Sequence, residues 1–86
     1  MNITIQGHHL DVGDALQTHI SDKITAISEK YFNRAVNVSV TMEKETKSLY
    51  KSHISLTMGK DIQVQGTAKS HEVYAAFDDA AEKIAK

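Results

Sequence analysis

The chain has no cysteine, no proline and no tryptophan. Without cysteine there is no disulfide framework, no thiol nucleophile and no cysteine-based zinc site. Without proline, and with no low-complexity tract, nothing reads as a linker between two domains. Four glycines stand singly at Gly7, Gly13, Gly59 and Gly66. They form neither a Gly-x-Gly-x-x-Gly nor a Gly-x-x-x-x-Gly-Lys loop to cradle a phosphate. No apolar run approaches the ~18 residues that would suggest a membrane span. The formal net charge is −1, which excludes a uniformly basic coat. A polyanion could then be held only if the charge is segregated on one face.

What remains is the composition of an ordinary soluble domain, 41% hydrophobic and 24% charged. Eighty-six residues suit one domain over 1–86. A domain of this size buries about 60–65% of the surface its unfolded chain exposes, so the core is thin. Residues 2–7 alternate, with Ile3 and Ile5 on one side, and predict a strand rather than a signal peptide. A cytoplasmic location is the expectation. Residues 8–13 read as a loop. From Asp14 to about Tyr31, apolar residues at 16, 20, 24, 27 and 31 predict an amphipathic helix, capped by Asp11 or Gly13.

Residues 35–43 predict a second strand, residues 43–48 a hairpin loop, and a third strand has Ile54, Leu56 and Met58 inside. Residues 59–61 predict a tight turn, followed by a fourth strand with Ile62 and Val64 inside. Ser70 is the expected cap of a closing helix whose apolar positions are Val73, Phe77, Ala80 and Ile84. The order β-α-β-β-β-α gives an α+β two-layer sandwich. Its four-stranded, mostly antiparallel sheet carries both helices on one face and leaves the other wet.

The charges on the helices are sorted. At ~100° per residue, Lys23, Lys30 and Arg34 fall within roughly 40° of one another, and Asp22 and Glu29 lie roughly 100–120° away. In the closing helix Glu72, Asp78, Asp79 and Glu82 precede Lys83 and Lys86. Side by side on one sheet, the two helices would join their bases into one patch that grips RNA. The helix macrodipole favours the same order at ~0.3–1 kcal/mol per charge, so a plain solvated face stays open as the alternative.

The outward strand positions carry a second signal. They are Thr4, Gln6, Asn37, Ser39, Thr41, Lys51, His53, Ser55, Thr57, Gln63, Gln65 and Thr67, none of them aromatic. Base stacking of the RRM kind has no platform here, whereas contacts to phosphates and 2′-hydroxyls remain open. Tyr31, Phe32, Tyr74 and Phe77 fall on or near helix faces, where core packing is the default.

Chemistry of other kinds finds little support. His8 and His9 are adjacent, but neighbours in an extended segment point opposite ways. They offer at most an adventitious surface site for a metal, and no cofactor is expected. His71 reads as a polar surface residue. The serines lack a partnered base, and Asp78 and Asp79 are ~100° apart on a helix, poorly placed as an acid/base pair. No enzyme is expected. The rival to an RNA-binding role is a protein–protein module that adds a partner strand to an exposed sheet edge.

Three stretches, "MNITIQGHHLDVGDALQTHISDKI", "EKYF" and above all "HEVYAAFDDAAEKIAK", resemble the ribosome hibernation factors, the group of hibernation promoting factor and protein Y. The resemblance implies a fold similar to double-stranded-RNA-binding domains. It implies stationary-phase binding to the small ribosomal subunit and its 16S rRNA, across the channel for messenger and transfer RNA, with translation blocked by occupancy. It points to a short form, monomeric, cytoplasmic and ribosome-associated. Such forms favour ribosome dimerisation beside a ribosome modulation factor, an activity protein Y opposes.

Lys23, Lys30, Lys83 and Lys86 match the family's rRNA-facing positions. With Arg34 and Lys69 they make up the candidate rRNA-binding set. Two departures accompany the likeness. Thr25-Ala26-Ile27-Ser28 stands where the family often has another lysine. Family members usually extend the last helix into a basic segment that is missing here.

Overall fold

Helix α1 (Asp14–Ile27) presents Leu16, Ile20, Ile24 and Ile27 to the interior, the three-and-four spacing that keeps side chains on one face. The computed structural model describes residues 2–32, 37–58 and 62–85, and of Tyr31 and Phe32 the backbone only. Around α1 the chain forms strands β1 (Asn2–His8), β2 (Asn37–Lys44), β3 (Tyr50–Met58) and β4 (Ile62–Ser70), and a closing helix α2 (Val73–Ile84). The order is the β-α-β-β-β-α read from the sequence. The expected turn at 59–61 lies outside the described residues.

The strands lie in the order β1-β2-β3-β4. Helix α1 carries the chain back, so β1 pairs with β2 in parallel, while β2, β3 and β4 follow one another antiparallel. The sheet is therefore mixed, with β1 and β4 at its edges.

Register fixes two faces. Toward the helices, Ile3, Val38, Leu56 and Val64 form one row across the sheet, Ile5, Val40, Ile54 and Gly66 the next, and Gly7, Met42, Ser52 and Ala68 a third. Away from the helices the rows are Asn2, Asn37, Thr57, Gln63; Thr4, Ser39, Ser55, Gln65; Gln6, Thr41, His53, Thr67; and His8, Glu43, Lys51, Lys69. The core closes where the inner rows meet α1 and the Ala76, Phe77, Ala80, Ala81 and Ile84 side of α2. Phe77 is fully buried, and a side chain of that size contributes about 1.5–3 kcal/mol of hydrophobic stabilisation.

Two glycines are required by close approach. A Cβ on Gly66 would lie 2.8 Å from the Ala80 carbonyl oxygen and 2.9 Å from Ile84 Cγ2, because α2 crosses β4 there with backbone nearly touching backbone. A Cβ on Gly7 would lie 2.3 Å from the Leu10 carbonyl oxygen, where the chain folds back after β1 through His9 at φ 58°.

Three local expectations are corrected. Ile62 is not inside but 55% exposed. Helix α2 runs back along β4, and its last buried residue, Ile84, lies over Gly66. Ile62, four residues nearer the strand's start and on an edge, is beyond the helix's cover. Ser70 does not cap α2: it ends β4, its hydroxyl accepts the Glu72 N–H at 3.3 Å, and Glu72 is the residue at the cap position. The first helix turns π-helical over Ser28–Phe32, so its α-helical part stops at Ile27. Its cap position is Gly13, without a side-chain bond.

Candidate nucleic-acid interface

Helices α1 and α2 lie side by side and run the same way along the sheet, since His19 meets Asp78 and Lys23 and Lys30 share a groove with Glu82 and Ala85. The spacing of four residues repeats on both sides. His19 and Lys23 lie one turn apart on α1, as do Asp78 and Glu82 on α2.

At the N-terminal end of this seam, His19 Nε2 and Asp78 Oδ1 are 2.7 Å apart. The imidazole also rests against two aromatic rings of α2. Tyr74 lies at 5.0 Å with the planes tilted by 44°, and Phe77 lies edge-on at 5.8 Å. Tyr74, expected in the core, is 43% exposed and covers His19 instead. It stands in the first turn of α2, whereas Phe77, one turn on, is fully buried.

Toward the C-terminal end the seam opens into a groove of about 270 Å³. Its floor is the small or apolar Ala26, Ile27, Ala81 and Ala85, and its rim carries Lys23, Lys30 and Glu82. An apolar floor of this kind suits lysine stems, whose methylenes can lie along it with the ammonium groups in water. Two cations and one carboxylate leave the groove net positive, in a chain that is net negative overall. Alanines at the helix contact let the groove form, because large side chains there would fill it.

The remaining candidate residues are placed differently. Lys83 is on the other flank of α2, where its Nζ donates to the Thr67 carbonyl oxygen of β4 at 2.6 Å. Lys69 is on β4, ion-paired with Glu45 of the β2–β3 hairpin at 3.2 Å. A shallow groove joins these two lysines to Asp79 and Glu82. The described lysines of the candidate set thus divide between the seam (Lys23, Lys30) and the β4 side (Lys69, Lys83) and do not form one continuous strip. Helix α2 separates the pairs because 82 and 83 are ~100° apart around it. Arg34 and Lys86 lie outside the described residues.

The histidines are dispersed. His8 and His9 are exposed at the end of β1 and in the turn after it, and among the described residues no three His, Asp or Glu side chains gather as a metal site would require. His53 Nδ1 is 2.7 Å from Thr67 Oγ1 on the open face. His71, read as a plain surface residue, is 2.8 Å from the Ser48 carbonyl oxygen and ties the β2–β3 loop to the start of α2. The role of Glu82 and the His19–Asp78 contact escaped the sequence reading. The matched four-residue spacing at 19/23 and 78/82 was the available signal, once parallel neighbouring helices are assumed.

The comparisons agree with this architecture. The crystal structure of the Thermus thermophilus protein Y N-terminal domain superposes with a TM-score of 0.87 at 20% identity, covering 99% of this chain and 92% of that one. A ribosomal subunit interface protein from Coxiella burnetii gives 0.88 at 17% identity, over 99% and 90%. At these identities the likeness is one of fold. In sequence, the ribosome hibernation promoting factor of Azotobacter vinelandii is 35% identical over 98% of this chain and 76% of its own length. The ribosome hibernation promotion factor of Rhizobium meliloti is 29% identical over the whole chain, which spans only 45% of that relative. Residues 3–86 match the family described as Sigma 54 modulation protein / S30EA ribosomal protein, and the chain belongs to that family.

Proposed function

We propose that this domain is a ribosome-binding hibernation factor that acts by occupancy, not by catalysis. In this reading it binds the small ribosomal subunit, contacts 16S rRNA and blocks the channel used by messenger and transfer RNA. Family membership over residues 3–86 and the names of its relatives support a ribosomal role. The observation that carries the rRNA contact is the pairing of Lys23 and Lys30 on the rim of one groove between the helices. Lys23 and Lys30 are attached to the backbone two helical turns apart, about 10 Å, a spacing from which each can reach toward a phosphate, with the alanine floor letting the RNA backbone approach closely.

Co-sedimentation with purified small subunits tests the proposal. The wild-type chain should pellet with the subunits at low salt and be released as salt rises, because phosphate contacts displace counterions. Lys23→Glu with Lys30→Glu should abolish pelleting while the circular dichroism spectrum is unchanged. Binding that persists at about 0.5 M salt, far beyond the range of screened charge contacts, would point instead to strand pairing at the β1 or β4 edge. Ribosome profiles of starved cells with and without the protein would then decide whether it favours or opposes dimers.

A further inference from the structure

We infer that the open face of the sheet is a second contact surface for an RNA sugar–phosphate backbone, distinct from the groove between the helices. The inference rests on the ribosome-binding reading above and adds a second side to the grip.

The chemistry of the face selects the partner. Its four cross-strand rows contain only Asn, Gln, Ser, Thr, His, Lys and Glu. A protein partner needs buried aromatic or aliphatic anchors at the centre of its interface, and the described part of this face has none. The described part of this face offers no Phe, Tyr or Trp on which bases would stack; its rings are the imidazoles of His8 and His53, the latter 2.7 Å from the Thr67 hydroxyl. Hydroxyl and amide groups, by contrast, donate and accept at once, as 2′-hydroxyls and phosphate oxygens require.

Shape and charge agree with that choice. Near one end of the face, β1, β2 and β3 enclose a trough of about 300 Å³ whose rim includes Thr4, Asn37, Ser39, Ser55 and Thr57. At the other end Lys51 and Lys69 stand directly opposite each other in the β3–β4 register. Like charges directly opposite are destabilising, so the arrangement is one that a bound anion would relieve. Glu45 balances Lys69 at 3.2 Å, and Glu43 is the β2 neighbour of Lys51 in register. Among the described residues Lys51 forms no ion pair. Lys47 in the adjoining hairpin leaves this end with three lysines against those two glutamates. From Thr57 to Lys51 is about 20 Å along β3, so a strand seated in the trough would carry its phosphates toward the lysine pair.

The absence of native cysteine makes the test direct. Ser55→Cys labelled with a benzophenone should photo-crosslink to 16S rRNA in complexes with purified small subunits. Lys51→Gln with Lys69→Gln should fold as the wild type and lower the slope of log K against log salt by about 1.4–1.8, the loss of two phosphate contacts. Thr57→Glu, which places a carboxylate on the trough's rim, should weaken binding severalfold with an unchanged melting temperature. Wild-type binding lost on Lys23→Glu with Lys30→Glu, but unmoved by the sheet variants and giving no rRNA crosslink, overturns this inference and leaves the groove reading intact. Crosslinks to ribosomal protein alone also overturn it. A wild-type chain that does not bind small subunits overturns both.

Discussion

The Nε2 of His19 stands 2.7 Å from Oδ1 of Asp78, and this contact ties α1 to α2 across the layer above the sheet. Both side chains are more than a third exposed, so the pair is partly screened and worth a fraction of what a buried one would be. The ring contacts to Tyr74 and Phe77 add packing that the bridge alone lacks. A double-mutant cycle with His19→Ala and Asp78→Ala should give a coupling of about 0.3–1 kcal/mol. His19→Ala should cost more than Asp78→Ala, since it also uncovers Phe77. Equal costs in urea denaturation would count against the packing share.

Gly66 fixes how closely α2 lies on β4. An alanine there has no room on the inner face, because the nearest atom is the Ala80 backbone oxygen and cannot rotate away. Gly66→Ala should therefore destabilise by about 1–3 kcal/mol, as overpacking does. For a domain of this size each kilocalorie lowers the melting temperature by about 4–8 °C. An unchanged melting temperature would mean that the helix lifts without cost.

Ser52 is the reverse case. It is fully buried on the helix-facing side of β3, between Met42 and Ala68 in register, and its Oγ has no hydrogen-bond partner. Leaving a buried hydroxyl unpaired costs about 1–3 kcal/mol. Ser52→Ala removes the hydroxyl and keeps the Cβ, so the variant should be more stable, with a melting temperature several degrees higher. Loss of stability would show that the hydroxyl is satisfied in solution.

The fold was legible because period and burial coincide. The alternation of Val38, Val40 and Met42 in β2, and the three-and-four spacing of Leu16, Ile20, Ile24 and Ile27 in α1, each place every apolar side chain on one face. Ile62 failed because alternation names a face but not how far the helix above extends. Ser70 failed because a hydroxyl that accepts a nearby N–H can do so from the end of a strand. The candidate site was legible only in part. Angles around α1 grouped Lys23, Lys30 and Arg34; the first two line one groove, and Arg34 lies outside the described residues. The orientation of α2 was the missing quantity, and it put Glu82 between the two grooves and Lys83 on the β4 side alone. A one-residue difference on a helix becomes a difference of side once a neighbour is packed against it.

That division makes a prediction about the lysines themselves. Lys83 is held by the Thr67 carbonyl oxygen at 2.6 Å, so an incoming phosphate must displace an existing hydrogen bond. Lys23, on the groove rim, faces the proposed rRNA path directly. Lys23→Gln should weaken small-subunit binding at low salt and reduce the slope of log K against log salt by about 0.7–0.9, one phosphate contact. Lys83→Gln should change that slope by much less. Its larger effect should be on stability, because the Thr67 carbonyl loses its charged donor, a bond worth about 1.5–3 kcal/mol when charge-assisted and less at an exposed site such as this. The two variants, measured side by side in salt titrations and thermal melts, should therefore split, one losing binding and the other stability. Equal losses of salt slope would place Lys83 on the RNA path after all and require its ammonium group to leave β4 on binding.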